Sequence, residues 1–255
     1  MKVRYREEGS GPLLVVLHGW GAGIDLYDGI IRQAAAGYHV IGPDLPGCGG
    51  TDEPDEPMDL DDYVSFVRRF LDAACPGADH VTFLGHSHGG RILIRMAASL
   101  AGTAEESLID RLILVDSAGI VPEKTPAQKK KAARYKRYKT LLTKTGIAKL
   151  FPGALQALQK KFGSADYAAA SPVMRKCMVN VVNTDLTAEM PRIKIPVLLI
   201  WGTEDRDTPL SDGRKMEQLM PEAGLAEIPG AGHFSFLENP YLFSRILASF
   251  LGLDG

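Results

Sequence analysis

The feature that most constrains the fold of this chain is an alternation of short apolar runs with longer amphipathic segments. The runs are too short for helices and contain few polar residues, which is typical of parallel strands buried on both faces of a sheet. The segments between them, for example residues 61–74, 91–100, 212–220 and 241–251, carry apolar residues at helical spacing. The pattern predicts an α/β fold with a doubly wound, mostly parallel sheet. The predicted strands are residues 13–17, 39–41, 81–84, 112–115, 197–200 and 225–228.

One interval in this pattern is much longer than the others. The connection between the predicted strands at 112–115 and 197–200 is much longer than a single crossover helix requires. Residues 127–144 are rich in Ala, Lys and Arg, and prolines divide the interval into several helix-like pieces. We therefore expect an inserted helical lid at residues 121–190, on a core formed by residues 1–120 and 191–255.

Charge is distributed unevenly along the chain. The predicted lid has fourteen Lys or Arg and four Asp or Glu, so it carries +10, and the total of −2 leaves −12 for the remainder. Residues 124–165 contain no acidic side chain, and one helical face there holds Tyr135, Tyr138 and Leu142. The lysines on the other faces form either a solvated surface or one that attracts an anionic substrate or an acidic surface. They are Lys129, Lys130, Lys136 and Lys139.

Composition also limits where the protein works and what it binds. Cys48, Cys75 and Cys177 are widely spaced and match no metal ribbon or disulfide framework. The sequence shows neither a secretory signal nor an apolar stretch of transmembrane length. We therefore expect a cytoplasmic protein. Because the chain outside the lid is acidic and has no recognition motif, we expect no nucleic-acid partner.

The chemistry of the chain begins with the sequence GHSHGG at residues 85–90. It follows the predicted strand 81–84 and precedes a helix, the context of a G-x-S-x-G nucleophile elbow. Glycines on both sides let strand and helix pack closely while a sharp turn exposes the hydroxyl of Ser87. The alternative interpretation is an ordinary glycine-rich turn, so the assignment depends on partner residues.

Partner residues occur in the order serine, acid, histidine. Asp205 follows the predicted strand 197–200, and His233 follows the last predicted strand. A serine hydroxyl needs a base to become nucleophilic, and the base needs an anion that fixes its tautomer. We therefore predict Ser87, Asp205 and His233 as a catalytic triad.

Other carboxylates compete for the role of the acid. Glu204 and Asp207 neighbour Asp205, and Asp116 ends another predicted strand. The motif around Asp205 favours it, and the alternative role of Asp116 is structural, as a cap of the turn into the lid.

Acyl transfer also needs donors for a developing oxyanion. Two backbone amides are candidates: that of His88, at a helix N-terminus, and that of Trp20, after the strand that leads into His18. His18, His86, His88 and His233 also raise the possibility of a zinc site. We expect no metal, because His86 and His88 flank the elbow serine and should project in different directions.

Together these residues resemble the α/β-hydrolase superfamily over residues 3–250. The resemblance rests on residues 18–21, 44–49, 85–90, 201–205 and 232–233. It implies a cofactor-free hydrolase of esters, thioesters, lactones, amides or activated carbon–carbon bonds, with a lid between two late strands. Serine at position 87 argues against the members that use aspartate there, the haloalkane dehalogenases and epoxide hydrolases.

The sequence departs from the family pattern at three places. His86 stands where carbon–carbon hydrolases often carry asparagine, and Phe234 stands where they carry tryptophan. Residues 2–6 provide one short strand where members commonly begin with a hairpin, which predicts seven strands rather than eight.

The sequence thus predicts a serine hydrolase that acts on a small carboxylic ester, thioester or lactone by an acyl-enzyme mechanism. Two alternatives remain open. One is a carbon–carbon bond hydrolase of the ring-fission-product type, and the other is a non-catalytic small-ligand receptor on the same fold. The residues do not define an oligomeric state.

Overall fold

The computed structural model describes residues 1–121, 126–144, 167 and 169–253. In this part of the chain the strands are β1 (Tyr5–Glu8), β2 (Leu13–Leu17), β3 (His39–Pro43), β4 (Val81–His86), β5 (Ile109–Val115), β6 (Val197–Gly202) and β7 (Ala223–Ile228). The α-helices are α1 (Asp28–Ala34), α2 (Leu60–Ala74), α3 (His88–Leu100), α4 (Pro126–Lys144), α5 (Pro172–Val182), α6 (Leu210–Leu219), α7 (Ser235–Glu238) and α8 (Pro240–Leu251). Short 3₁₀ helices occupy Ile24–Tyr27, Glu106–Leu108 and Met190–Arg192.

These strands form one seven-stranded sheet in the order β1-β3-β2-β4-β5-β6-β7. Strand β1 is antiparallel to β3, and the other pairs are parallel. Apolar side chains of α2, α3, α5 and α6 pack on one face. Those of α1, α7 and α8 pack on the other. The predicted doubly wound, mostly parallel α/β fold is therefore confirmed.

Most predicted elements differ from the observed bounds by a few residues, and two of these differences have a clear physical reason. The first strand spans residues 5–8 rather than 2–6, where it pairs with β3 in the register Tyr5 to Pro43. It is an edge strand whose residues alternate between exposed and half-buried, so no apolar run marks it. Helix α3 begins at His88 rather than at 91, because the turn at Ser87 passes directly into it.

Helix α5 packs on the same core as α2 and α3. Its Met174, Cys177 and Val181 are buried, and Ser171 caps its N-terminus by accepting from the amide of Met174. The buried Arg91 of α3 donates a hydrogen bond to the carbonyl of Val181, which lies near the C-terminus of α5. The predicted lid at 121–190 therefore contains a helix that belongs to the packed core, and the boundaries of the lid remain a prediction.

The basic segment of the sequence forms α4 within the described residues. Lys130 and Lys136 are exposed, whereas Tyr135 and Leu142 are half-buried. Tyr138, predicted on the same face as Tyr135, is 45% exposed. The side chains of Lys129 and Lys139 lie outside the described residues. Nowhere in the described chain is a helix both long enough and apolar enough to cross a membrane.

Candidate active site

Ser87 lies at a sharp turn between β4 and α3. Its backbone has φ 50° and ψ −110°, a conformation that L-residues rarely adopt. The neighbouring glycines are required by close packing, since a Cβ at Gly89 would lie 2.3 Å from the carbonyl oxygen of Leu17. A Cβ at Gly85 would lie 2.6 Å from the backbone of Gly89. The strain at Ser87 is held by this packing and by a hydrogen bond of 3.1 Å from its amide to the carbonyl of Val115.

The structure brings Ser87, His233 and Asp205 together. The Nε2 atom of His233 lies 3.0 Å from Oγ of Ser87. The Nδ1 atom of His233 lies 2.8 Å from Oδ2 of Asp205. Asp205 comes from the loop after β6 and His233 from the loop after β7, so parallel strand ends deliver both side chains to the same edge of the sheet. The three groups form a continuous hydrogen-bonded chain from hydroxyl to carboxylate.

Asp205 is held by further donors from its own loop. Its Oδ1 accepts from the amides of Asp207 at 2.8 Å and Thr208 at 3.0 Å. Its Oδ2 also accepts from Oγ1 of Thr208 at 2.7 Å. Thr208 is fixed in turn, because its carbonyl accepts from Nε1 of Trp201. Sequence reasoning missed Thr208; the available signal was a hydroxyl residue three positions after an aspartate, a spacing that favours local side-chain to backbone hydrogen bonds.

The charges of Asp205 and His233 stabilise each other. Burial raises the pKa of Asp205, but the hydrogen bond and charge of His233, with the donors of Thr208, outweigh it and leave the pKa below its ordinary value. Burial lowers the pKa of His233, but the hydrogen bond and charge of Asp205 outweigh that effect and leave it above its ordinary value. The histidine is thus a stronger base than a free imidazole.

Asp116 has different partners. Its Oδ1 accepts from the amide of Gly202 at 2.8 Å. Its Oδ2 accepts from the amide and the Oγ of Ser235 at 3.1 and 2.6 Å. Burial raises the pKa of Asp116 to about 7, against the lowering effect of these donors. Asp116 therefore ties the end of β6 to the start of α7, rather than capping the turn into the lid as the sequence suggested. The other two competitors, Glu204 and Asp207, are exposed.

The two predicted oxyanion amides border the nucleophile. His88 is the first residue of α3, and its amide lies at the positive end of the helix dipole. Trp20 follows Gly19, where a Cβ would lie 3.3 Å from Cβ of Ser87, so this loop touches the nucleophile. Within the described residues neither amide donates to a backbone carbonyl. The rings of Trp20 and His88 are in edge contact, with centroids 5.3 Å apart.

Two of the other histidines near Ser87, His18 and His86, are engaged by protein groups, whereas Nε2 of the buried His88 has no hydrogen-bond partner among the described residues. The Nδ1 of His18 lies 2.7 Å from the carbonyl of Gly19, and its Nε2 accepts from the amide of Leu45. Both ring nitrogens of His86 have partners as well, Tyr27 and the carbonyl of His233. These histidines do not converge as metal ligands.

A metal could find ligand atoms at one place in the described chain. Asp205, Asp207 and His233 offer atoms within 4.8 Å of one another. The Nδ1 of His233 is hydrogen-bonded to Asp205, however. A metal bound at Nδ1 would therefore displace this hydrogen bond and interrupt the series that links Asp205 through His233 to Ser87.

Comparisons with known proteins identify the fold family of the chain. A family model described as the alpha/beta hydrolase fold matches residues 12–240. A pimeloyl-[acyl-carrier protein] methyl ester esterase of Nitrosomonas europaea is 29% identical, covering 92% of this chain and 94% of that protein. A 2-hydroxy-6-oxo-6-(2'-aminophenyl)hexa-2,4-dienoic acid hydrolase of Metapseudomonas resinovorans is 24% identical, covering 98% of this chain and 88% of that protein.

Solved structures share the same architecture. An esterase from Exiguobacterium antarcticum superposes with a TM-score of 0.75 at 24% identity, covering 98% of this chain and 95% of that one. At this identity the likeness describes the fold alone.

Proposed function

The chain belongs to the α/β-hydrolase fold family, and we propose that it is a serine hydrolase of small carboxylic esters, thioesters or lactones. The observation that carries the proposal is the unbroken chain from Ser87 through His233 to Asp205, with contacts of 3.0 and 2.8 Å. Nucleophile, base and orienting acid stand in the arrangement that acyl transfer requires.

In the proposed mechanism, Oγ of Ser87 attacks the acyl carbon while Nε2 of His233 takes its proton. The carbonyl oxygen becomes an oxyanion and accepts hydrogen bonds from the amides of Trp20 and His88. The tetrahedral intermediate collapses, and the imidazolium returns the proton to the departing alcohol or thiol. Water, activated by the same histidine, then attacks the acyl-enzyme, releases the acid and restores Ser87. Asp205 holds the ring orientation throughout and stabilises its positive form.

The names of two relatives support a hydrolase but differ in substrate. The Nitrosomonas relative is an ester hydrolase by its name. The Metapseudomonas relative, a dienoic acid hydrolase, keeps a carbon–carbon hydrolase as the second candidate. Against that candidate, His86 occupies the position before the nucleophile and bonds to the backbone of His233 rather than facing substrate. We therefore place the ester, thioester or lactone first.

The proposal includes an anionic substrate as a consequence of the basic helix α4. Its exposed cations include Lys130, Arg134, Lys136 and Arg137. If their potential attracts substrate, the double variant Lys130→Glu with Lys136→Glu will lower kcat/KM for an anionic ester at low salt but not for a neutral ester. An equal effect on both esters would exclude steering.

We also place the protein in the cytoplasm. Supporting this, Cys48, Cys75 and Cys177 are all free thiols.

The experiment that tests the proposed function is hydrolysis of p-nitrophenyl esters from acetate to decanoate. Ser87→Ala should lower kcat by at least about a thousandfold, whereas Ser99→Ala, a control on the helix α3 that follows Ser87, should leave it unchanged. The chain-length optimum would measure the acyl pocket. Equal turnover by wild type and Ser87→Ala would reject the serine mechanism, and no turnover by wild type would favour the carbon–carbon hydrolase or a receptor.

A further inference from the structure

A line of buried hydrogen bonds runs behind the proposed active site. The amide of Gly19 donates to the hydroxyl of Tyr27 at 3.0 Å. The hydroxyl of Tyr27 lies 2.8 Å from Nδ1 of His86. The Nε2 of His86 lies 2.7 Å from the carbonyl oxygen of His233. This chain, which we call the Tyr27–His86 relay, connects the loop after β2 with the backbone of the proposed base.

Only one arrangement of protons satisfies every member of the relay. The carbonyl of His233 can only accept, so Nε2 of His86 must carry a proton. Burial, aided by the charge of His233, lowers the pKa of His86 to about 3, so the ring is neutral and its Nδ1 is an acceptor. The hydroxyl of Tyr27 then donates to Nδ1, and its oxygen accepts from Gly19. Each donor and acceptor is therefore used once, in a fixed direction.

The relay is closed off from water and packed on all sides. Tyr27 and His86 are 0% and 1% exposed. The ring of Tyr27 stacks on Phe236 with centroids 4.9 Å apart. The ring of His86 contacts Phe234 and Phe236 with centroids 5.2 and 5.3 Å away. In such an environment a hydrogen bond is stronger than in water, and loss of one partner leaves a costly unpaired group.

Both ends of the relay lie where acyl transfer needs exact placement. Gly19 directly precedes Trp20, whose amide is a proposed oxyanion donor. The carbonyl of Gly19 lies 2.7 Å from Nδ1 of His18, and its amide is held by Tyr27, so the loop is fixed on both sides. A Cβ at Gly19 would lie 2.8 Å from Nδ1 of His86, which shows how closely the loop is applied to the relay.

We propose that Tyr27 and His86 are positioning residues that hold the oxyanion loop and the backbone of His233 at a fixed separation. This inference rests on the proposed function of the site. Neither side chain forms a hydrogen bond to a reacting atom in the mechanism above, although the ring of His86 packs against that of His233 with centroids 4.9 Å apart. They act by holding the Trp20 amide and the His233 ring in the geometry that the transition state needs, so their loss should slow acylation more than it weakens substrate binding.

The kinetic test compares Tyr27→Phe with Tyr38→Phe. Tyr38 is a matched control, because it is also buried and donates one hydrogen bond, of 3.0 Å, to the carbonyl of Leu251, away from the site. Single-turnover acylation by a p-nitrophenyl ester should be about tenfold slower in Tyr27→Phe, with KM within about twofold of wild type. Tyr38→Phe should acylate at the wild-type rate. Equal acylation rates in the two variants would overturn the proposal.

A second measurement tests the protonation of the His86 ring without an activity assay. In protein with ¹⁵N-labelled histidine, long-range ¹H–¹⁵N correlation spectra should show His86 protonated at Nε2 and bare at Nδ1 from pH 5 to 9. His86→Asn assigns the signals by their loss, and Tyr27→Phe should shift Nδ1 alone. A ring that titrates in this range, or that is protonated at Nδ1, would overturn the proposal.

The two measurements separate the inference from the function on which it rests. If Ser87→Ala retained wild-type turnover, the proposed serine mechanism would be wrong, and the ring-nitrogen spectrum would decide the relay by itself. If Ser87 proved essential while Tyr27→Phe acylated at the wild-type rate, the serine mechanism would be supported and the positioning role of Tyr27 and His86 would be rejected.

Discussion

Oδ2 of Asp205 lies 2.8 Å from Nδ1 of His233. The other candidate acid, Asp116, ends the neighbouring strand but directs its carboxylate to Gly202 and Ser235. Two aspartates at the same edge of the sheet therefore have different tasks. Asp205 is placed to orient the proposed base. Asp116 connects the end of β6 to the start of α7, close to the loop that carries that base.

Replacement of the two aspartates should separate these tasks. Asp205→Asn should lower kcat by roughly a thousandfold, because the ring of His233 loses the acceptor that fixes its tautomer. Asp116→Asn should lower kcat less than tenfold but reduce the free energy of unfolding by about 1–3 kcal/mol, because one of the two accepting oxygens becomes an amide nitrogen and leaves buried donors without an acceptor. Steady-state kinetics and urea unfolding measure the two effects. The reverse pattern would make Asp116 the acid.

The pH dependence of kcat/KM should report the pKa of His233. The base must be neutral, so activity falls as pH drops through this pKa, which Asp205 holds above the ordinary value. In Asp205→Ala the two largest raising interactions are gone, and only the smaller effects of the Asp116 and Asp207 charges remain against burial. The acidic limb of any residual activity should therefore move to lower pH. Glu204→Gln, an exposed neighbour, is the control. A limb that stays in place in Asp205→Ala would contradict the assignment.

Thr208 should contribute to the rate through Asp205. Its hydroxyl donates to Oδ2 of Asp205 at 2.7 Å. Thr208→Val keeps the shape but removes this donor, which should lower kcat about tenfold and leave KM nearly unchanged. Thr103→Val, which loses a hydroxyl bond to the carbonyl of Leu100 far along α3, should have wild-type kinetics. Equal kinetics for both variants would deny Thr208 this role.

The elbow should be intolerant of a single added carbon. Gly89→Ala would place Cβ 2.3 Å from the carbonyl oxygen of Leu17, and we expect at least about 2 kcal/mol lower free energy of unfolding. Gly29→Ala, in helix α1, meets no atom within 4 Å and should raise stability by about 0.5–1 kcal/mol. Urea unfolding of both variants measures the difference. A Gly89→Ala protein as stable as wild type would show that helix and strand are not so closely packed.

Much of the fold could be predicted because its central strands are apolar on both faces. Strand β1 was misplaced because YREE at an exposed edge has no apolar run. The start of α3 was placed too late because the glycines at 89 and 90 are poor helix formers.

The proposed triad could be predicted because its members follow strand ends in a recognisable order. Tyr27 and His86 could not, because they are 59 residues apart and meet only in the folded chain. The task of Asp116 was equally hidden, since its partner Ser235 is 119 residues away. Local spacing reveals loops and turns, whereas tertiary hydrogen bonds depend on how the layers pack.

The most direct test of the account is to find the acyl group itself. After brief incubation with p-nitrophenyl acetate and acid quench, proteolysis and mass spectrometry locate the modified residue. We expect an acetyl group on the peptide that contains Ser87, and no such group in Ser87→Ala. Turnover without an acyl group on Ser87 would contradict the serine mechanism. So would an acyl group on another residue that forms and is hydrolysed as fast as the enzyme turns over.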